Sequence, residues 1–535
     1  MGYKKMDTQL LKLFNGHVYF NLKVLKTKVA NEIPSFIRNQ DILNYFPKGE
    51  GPFGKKTMKE LPFKLVNRLI AEIRVSVYDP NGSILKTADV YDEWSENVFL
   101  PFCEYFDEKF RTLRNNNNLN SLYSLAEELD KVMIDHFRLV RYGIPVHNIG
   151  MNLITRYLLK RFLGEKGASE YFPILISGLE HKLKETNDLL HELAFLIQKS
   201  PKLVDLFQKV HSQEFYERLN ELSEIDKEVE EFSQLFKTFL QNYGDRGFTR
   251  EPYYPRWGEE PKYVIEILKS LIIEQDKDLD SIKEKNNKYR RLISDYVEAK
   301  IRNQRLGFLK WKLFSIILNF SKKYIIFRET QRFNLDKWIT RNRRVYLKIG
   351  NIFYQYGILE DPIDVFFLRR VEIKNLINNH TEKEKISKIK QKVKERSDKF
   401  KEYENSLPPK FLYGSREFND ILEYDKYSKV FRGIPASQGI RIGRVRVLNT
   451  IENISNVHPD DILIVPRTDP GWTPVFSKIG GLITETGGVL SHGAVVSREY
   501  GIPAVTNITN ACKIFQTGQK VKINGYNGEI RILKK

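Results

Sequence analysis

The stretch Thr484-Glu-Thr-Gly-Gly-Val-Leu-Ser-His-Gly-Ala-Val-Val-Ser-Arg-Glu-Tyr-Gly-Ile-Pro-Ala-Val505 decides how this chain is read. The apolar run Ile479-Gly-Gly-Leu-Ile483 before it reads as a buried strand. Ser491 is a good helix N-cap, which places His492 in the first turn of a short helix, and Gly501 and Pro503 supply the stop. A helix N-terminus presents unpaired amides and a partial positive charge, both favourable to a phosphoryl group. The same partial charge disfavours imidazolium and keeps the ring nucleophilic near neutral pH. Gly487 and Gly488 allow unusual backbone angles, while Gly493 and Ala494 keep bulk away from an incoming group. From the residues alone two readings stay open: a phosphoryl-accepting histidine, or a structural one, which is how His17, His136, His147, His181, His191, His211, His380 and His458 are read.

Around this turn the sequence reads as a compact α/β domain over 430–535. Arg441 to Leu448 alternates, Asp461-Ile-Leu-Ile-Val-Pro466 is apolar and β-branched, and Lys520 to Ile523 and Glu529 to Leu533 supply further strands. Thr473 to Ile479 and Ser491 to Tyr500 read as short helices. A linker over 406–429 begins at Ser406-Leu-Pro-Pro-Lys410. Upstream, residues 1–405 read as mainly helical, with a mixed α/β entry region over 15–110 that includes a strand at 16–22.

Within the helical region Leu122, Leu125, Leu129, Val132, Met133 and Phe137 recur at three- and four-residue steps and should face inward. One long helix is expected from Glu214 to Tyr243, ending at Gly244-Asp-Arg-Gly247. The loop after it carries Pro255-Arg-Trp257, long helices resume from Tyr263 to about Tyr356, and a charged helix covers Glu382 to Glu404. Arg328-Glu-Thr-Gln-Arg-Phe333 puts two guanidiniums four residues apart on one helix face. They repel unless a carboxylate or a phosphate lies between them. Pairing with neighbours such as Glu329 or Asp336 and binding of a phosphate both satisfy that requirement.

With 535 residues the chain is long enough for about three domains. Cys103 and Cys512 belong to no C-x-x-C pair, which argues against a disulfide framework and a thiolate zinc site. No H-x-x-x-H or Cys–His cluster suggests a metal, so none is expected. No signal peptide or membrane span is legible at the N-terminus or elsewhere, and a cytoplasmic location is the expectation. The formal charge of +19 comes from basic residues spread along the chain among acids, so a solvated basic surface is favoured over a nucleic-acid groove. Gly49-Glu-Gly-Pro-Phe-Gly54 matches G-x-G-x-x-G in form, but no apolar strand precedes it, Pro52 removes an amide, and Lys56 stands where a phosphate-binding loop needs Ser or Thr.

The segments Gly433-Ile-Pro-Ala-Ser-Gln-Gly439, Thr468-Asp-Pro-Gly-Trp-Thr-Pro474 and Gly487 to Ala504 resemble the swivelling β/β/α phosphohistidine domain of the PEP-utilising enzymes, phosphoenolpyruvate synthase and pyruvate phosphate dikinase among them. The likeness is greatest to the rifampin phosphotransferase group. Gly244 to Gly247, Pro255 to Trp257, Arg328 to Phe333 and Gly357 to Leu368 resemble that group's helical acceptor-binding domain. The resemblance implies that His492 is the phosphorylated histidine, supported by Gly487, Gly488, Ser491 and Gly493. It also implies that Arg328, Glu329, Arg332, Arg246 and Arg256 contribute to phosphate or acceptor binding. Asp245 departs from the G-H-R-G pattern of the group. No ATP-grasp domain and no phosphoenolpyruvate barrel is recognisable. The implied activity is a dikinase-type phosphotransferase charged by a separate ATP-grasp partner that holds ATP and Mg, with no cofactor bound in this chain. The acceptor would be the hydroxyl of a small molecule, such as an antibiotic or another large hydroxylated compound. The alternative is a catalytically silent binding or regulatory protein that retains the fold.

Overall fold

The computed structural model describes residues 11–15, 17–24, 26, 34, 66, 70, 73, 77–209, 214–247, 249–272, 279–378, 383–404, 411–413, 416–418, 429–449, 454, 456–468, 470–488 and 491–534. The glycine pattern at 49–56 lies outside them, as do His211 and His380. The chain forms a large helical part and a C-terminal mixed sheet. It divides into two compact units, residues 1–150, 251–254 and 334–421 in one and residues 151–250, 255–333 and 422–535 in the other. These bounds differ from the domain limits expected from sequence, because proximity groups the C-terminal sheet with the middle helices.

In the first unit a hairpin pairs Leu11–Phe14 with His17–Phe20, which fits the expected strand at 16–22. Its core joins Phe106, Leu122, Leu125 and Leu129 to Val345, Ile349, Ile352 and Phe353. Phe137 is 51% exposed rather than inward. The buried position next to it goes to His136, whose Nδ1 lies 2.8 Å from Tyr91 Oη. Asn334 donates to Tyr91 Oη and Ser95 Oγ at 3.2 and 2.8 Å, which satisfies a polar cluster that water does not reach. Inside the expected linker Phe411–Tyr413 and Arg416–Phe418 pair as a short hairpin.

The second unit contains four helices that matter below: α1 (Lys182–Lys199), α2 (Lys227–Tyr243), α3 (Gly307–Gln355, of which residues up to Phe333 belong to this unit) and α4 (His492–Glu499). The helix expected over Glu214 to Tyr243 is broken. Phe215–Ser223 ends first, and Asp226 then starts α2 by accepting from the Glu228 and Val229 amides at 3.0 and 3.2 Å. An aspartate that captures two orphan amides gains more as a cap than as an interior residue. Val229, Phe232, Phe236, Phe239 and Tyr243 then bury one face of α2 against Leu190, Leu193, Val264 and Leu268. Full burial of each such side chain stabilises by about 1.5–3 kcal/mol.

The C-terminal sheet has eight strands among the described residues: β1 (Val430–Arg432), β2 (Ile434–Ser437), β3 (Ile440–Val447), β4 (Ile462–Val465), β5 (Gly481–Thr484), β6 (Ala504–Thr506), β7 (Lys520–Asn524) and β8 (Glu529–Lys534). Their lateral order is β1-β8-β7-β3-β4-β5-β6-β2. β3 to β6 run parallel, and β1, β8, β7 and β2 add antiparallel edges. Every residue of β4, β5 and β6 is buried, as parallel strands covered on both faces require. The expected helix at 473–479 is a 3-10 turn over Pro470–Ser477.

Candidate functional site

His492 stands where a parallel strand hands over to a helix. β5 ends at Thr484, Gly487 turns the chain at φ 127°, and Ser491 caps α4 with its side chain accepting from the Ala494 amide at 3.4 Å. The positive φ is open to glycine at little cost and to few other residues. In open parallel sheets this end of the strands is where ligands bind.

The imidazole is 7% exposed. Its Nδ1 lies 3.4 Å from Thr468 Oγ1, and the Phe476 ring meets it edge-on at 6.3 Å between centroids. Burial lowers its pKa from 6.5 to about 3; Glu329 opposes that shift, and Arg332, Arg328 and Arg246 reinforce it. The neutral ring expected from the sequence is therefore present, but desolvation rather than the helix terminus is the main cause. Gly493 also has a different role from the one expected. A Cβ there would lie 2.6 Å from Thr468 Oγ1 and 2.8 Å from Leu482 Cδ2, so the glycine lets α4 seat against the sheet.

Three cationic side chains and one carboxylate act on the histidine through their charge. From α3, Arg328 is 9% and Glu329 6% exposed. Arg328 Nε and Nη2 both donate to Glu329 Oε1, at 2.9 and 2.8 Å, and Arg332 Nη1 is 3.8 Å from the same oxygen. The carboxylate between the guanidiniums is thus Glu329. Burial pushes its pKa up, but Arg328 and Arg332 lead a set of positive groups that holds it at about 2, so it stays ionised. Arg246, from the turn after α2, donates Nη2 to the Lys182 carbonyl at 3.3 Å and lies 5.4 Å from the centre of the Phe333 ring.

Arg256 is placed differently. It is fully buried and donates Nη1 to the Thr249 carbonyl at 2.5 Å. The backbone joins the two tracts, Trp257 N–H to Arg246 O at 2.8 Å and Gly258 N–H to Gly244 O at 2.9 Å. Arg256 therefore supports the loop that presents Arg246. Asp245, 9% exposed, lies in the same turn.

Sequence reading missed four residues. Thr468 sits in a quoted motif but carried no role. Arg498, on α4, is half-buried, its pKa lowered to about 9 by desolvation, and it donates to the Ala436 carbonyl at 2.8 Å. His181 and Glu499 approach at 3.7 Å although 318 positions separate them, and no local pattern could pair them. Among the described residues no group of three His, Cys, Asp or Glu is arranged to hold a metal, and no helix is long and apolar enough to cross a membrane.

A neutral, buried histidine beside two arginines that share a carboxylate can exchange a dianionic group. Residues 457–528 match the mobile domain of PEP-utilising enzymes, and residues 142–329 match the fourth domain of rifampicin phosphotransferase. The first segment holds His492, and the second holds Arg246, Arg256, Arg328 and Glu329. Curated relatives include the rifampicin phosphotransferase of Bacillus cereus, 24% identical over 80% of this chain and 48% of the relative. An uncharacterized phosphotransferase of Bacillus subtilis, YvkC, is 25% identical over 90% of this chain and 58% of its own length. The rifampicin phosphotransferase of Bacillus subtilis is 27% identical over 70% and 42%. The chain spans about half the length of the curated relatives it matches.

Proposed function

We propose that this chain, which carries a PEP-utilising mobile domain and a rifampicin phosphotransferase fourth domain, is a phosphotransferase component with His492 as its phosphoryl carrier. The observation that carries the reading is a buried His492 at the Ser491-capped start of α4, within the positive field of Arg328, Arg332 and Arg246. Nδ1 is turned to Thr468, so Nε2 is the nitrogen that takes the group.

In the charging step Nε2 attacks the β-phosphorus of ATP held with Mg by an ATP-grasp partner, the P–O bond to AMP breaks and AMP leaves, and water then releases the γ-phosphate as inorganic phosphate, so that one phosphoryl group stays on Nε2. In the delivery step an acceptor hydroxyl attacks phosphorus, the P–N bond breaks, the hydroxyl proton leaves to solvent, and neutral imidazole returns. Negative charge on the phosphoryl oxygens is met by Arg328 and Arg332, which exchange Glu329 for the incoming group, with Arg246 adding a third positive charge. Such fixed guanidiniums need little reorganisation at the moment of transfer. The acceptor is a hydroxyl of a large compound, and rifampicin, named in several relatives, is the first to assay.

Incubation of the full chain with the ATP-grasp partner and ATP labelled at the β-phosphate should place acid-labile, base-stable label on the chain. His492→Ala should take none. Label retained by that variant overturns the assignment.

A further inference from the structure

Helix α4 carries His492 at its first position and Glu499 at its last. The second end is held as closely as the first. Glu499 Oε1 lies 3.7 Å from His181 Nε2, and the next residue, Tyr500, has its Oη 3.0 Å from His191 Nε2. Both histidines belong to α1, His181 as its N-cap and His191 within it. Two residues into α1, Leu183 is 3% exposed and shares one apolar core with Trp472, Phe476, Leu482 and Ala494 of the C-terminal domain. The start of α1 therefore offers the His492 helix both a polar and an apolar seat.

His181 is more than a neighbour. Its Nδ1 accepts the Lys184 amide at 3.2 Å as the helix cap. A nitrogen that accepts a backbone N–H carries no proton, so in the neutral ring the proton sits on Nε2, the atom that faces Glu499. The cap thus turns the N–H edge of the ring toward the Glu499 carboxylate of α4, 3.7 Å away. The side chain of His181 is 2% exposed, and that of Glu499 16%. One buried imidazole consequently caps α1 and lies against the helix that bears the phosphoryl carrier.

We propose that His181 and Glu499 form a positioning pair that seats the His492 helix against Arg328 and Arg332 for phosphoryl delivery. The pair makes no contact with the reacting atoms; it sets where His492 comes to rest when the mobile domain meets the helices. The proposal rests on the phosphotransfer reading for its purpose, but the seating itself is testable without any phosphoryl donor or acceptor.

His492 is buried when seated, so its reactivity toward diethyl pyrocarbonate, which modifies neutral imidazole, reports the fraction of time the seat is open. The full chain is treated near pH 7.5, and modification of His492 is followed by peptide mass mapping. His181→Asn keeps a strong N-cap and removes the ring nitrogen that faces Glu499; Glu499→Gln removes the charge and keeps the shape. Each variant should raise the modification rate of His492 roughly two- to fivefold, as expected for loss of one close polar contact between an imidazole and a carboxylate from a closed state. Combining them should raise it no further, because both remove the same contact. Leu183→Ala should also raise it, additively with either.

Unchanged rates in both single variants overturn the proposal, and so does a double variant whose effect is the product of the singles. A purely structural role for His181 as helix cap predicts no effect of His181→Asn and none of Glu499→Gln. If His181→Asn lowers thermal stability, Glu499→Gln decides alone. Loss of the phosphorylation result on His492 with these rate changes intact would refute the phosphotransfer reading and leave the seating pair standing; the reverse outcome would refute only the pair.

Discussion

Glu329 accepts from both Nε and Nη2 of Arg328 on a single oxygen, Oε1, at 2.9 and 2.8 Å. The second arginine, Arg332, stands 3.8 Å from that oxygen, and His492 lies within the field of all three. A buried carboxylate thus lies between two guanidiniums of one helix.

Removing Arg328 leaves Glu329 buried with much of its compensation gone. Arg328→Ala should destabilise the chain by about 3–5 kcal/mol, the cost typical of breaking a buried ion pair by one partner. Arg328→Ala combined with Glu329→Ala should recover part of that loss. Urea denaturation of the two single variants and the double variant measures the coupling; equal and additive losses would show that the pair does not act as a unit.

Arg328→Lys retains charge but loses the planar fork. The rate at which label leaves His492 in a single turnover with acceptor should fall by about 100-fold, while charging of His492 stays close to wild type. An equal fall in both steps would place Arg328 in folding rather than delivery.

The pH dependence of stability follows from His492. Its folded pKa of about 3 lies below the unfolded 6.5, so between these values the unfolded chain binds a proton that the folded chain refuses. The stabilisation of the neutral buried ring is complete above pH 6.5 and is lost as pH falls toward 3. Burial of His136, with its pKa lowered to about 4, acts in the same direction, and Glu329, held at about 2, adds a loss below pH 4.5. Moving from pH 7 to 5 should therefore cost wild type about 2 kcal/mol more than His492→Gln, read from urea midpoints at the two values.

Gly493→Ala brings a methyl group to 2.6 Å from Thr468 Oγ1 and 2.8 Å from Leu482 Cδ2. The substitution should cost about 1–3 kcal/mol as an overpacked site, although alanine favours helices elsewhere. Thr468→Ser in the same chain should relieve little of it, because the Oγ1 contact is retained. Thr468→Ala, which removes that atom, should relieve more. Thermal unfolding of the four proteins checks the order.

Local chemistry was legible in the residues. The strand, glycine turn and Ser491-capped helix around His492 follow from patterns a few positions long, and so do strands β3, β4, β7 and β8, whereas β6 and the parallel order do not. The break at Asp226 was also written locally, since an aspartate before Lys-Glu-Val-Glu is a strong cap, but the apolar periodicity running through it masked the signal. Arg256 was legible as a buried arginine only after its backbone partners were known, because a guanidinium near an aromatic motif looks the same whether it faces a ligand or a carbonyl.

By itself the sequence determined which residues could do chemistry: a capped histidine after a glycine turn, and two arginines on one helix face with a glutamate next to the first. Tertiary structure decided what those residues meet. It placed Glu329 between the arginines, put Thr468 at Nδ1, buried the imidazole deeply enough to hold it neutral, and set His181 against Glu499. Capping and periodicity act through bonds within one or two turns and leave a mark in adjacent residues. Desolvation and ion pairing depend on distances through space between segments far apart in the chain, and only the fold fixes those.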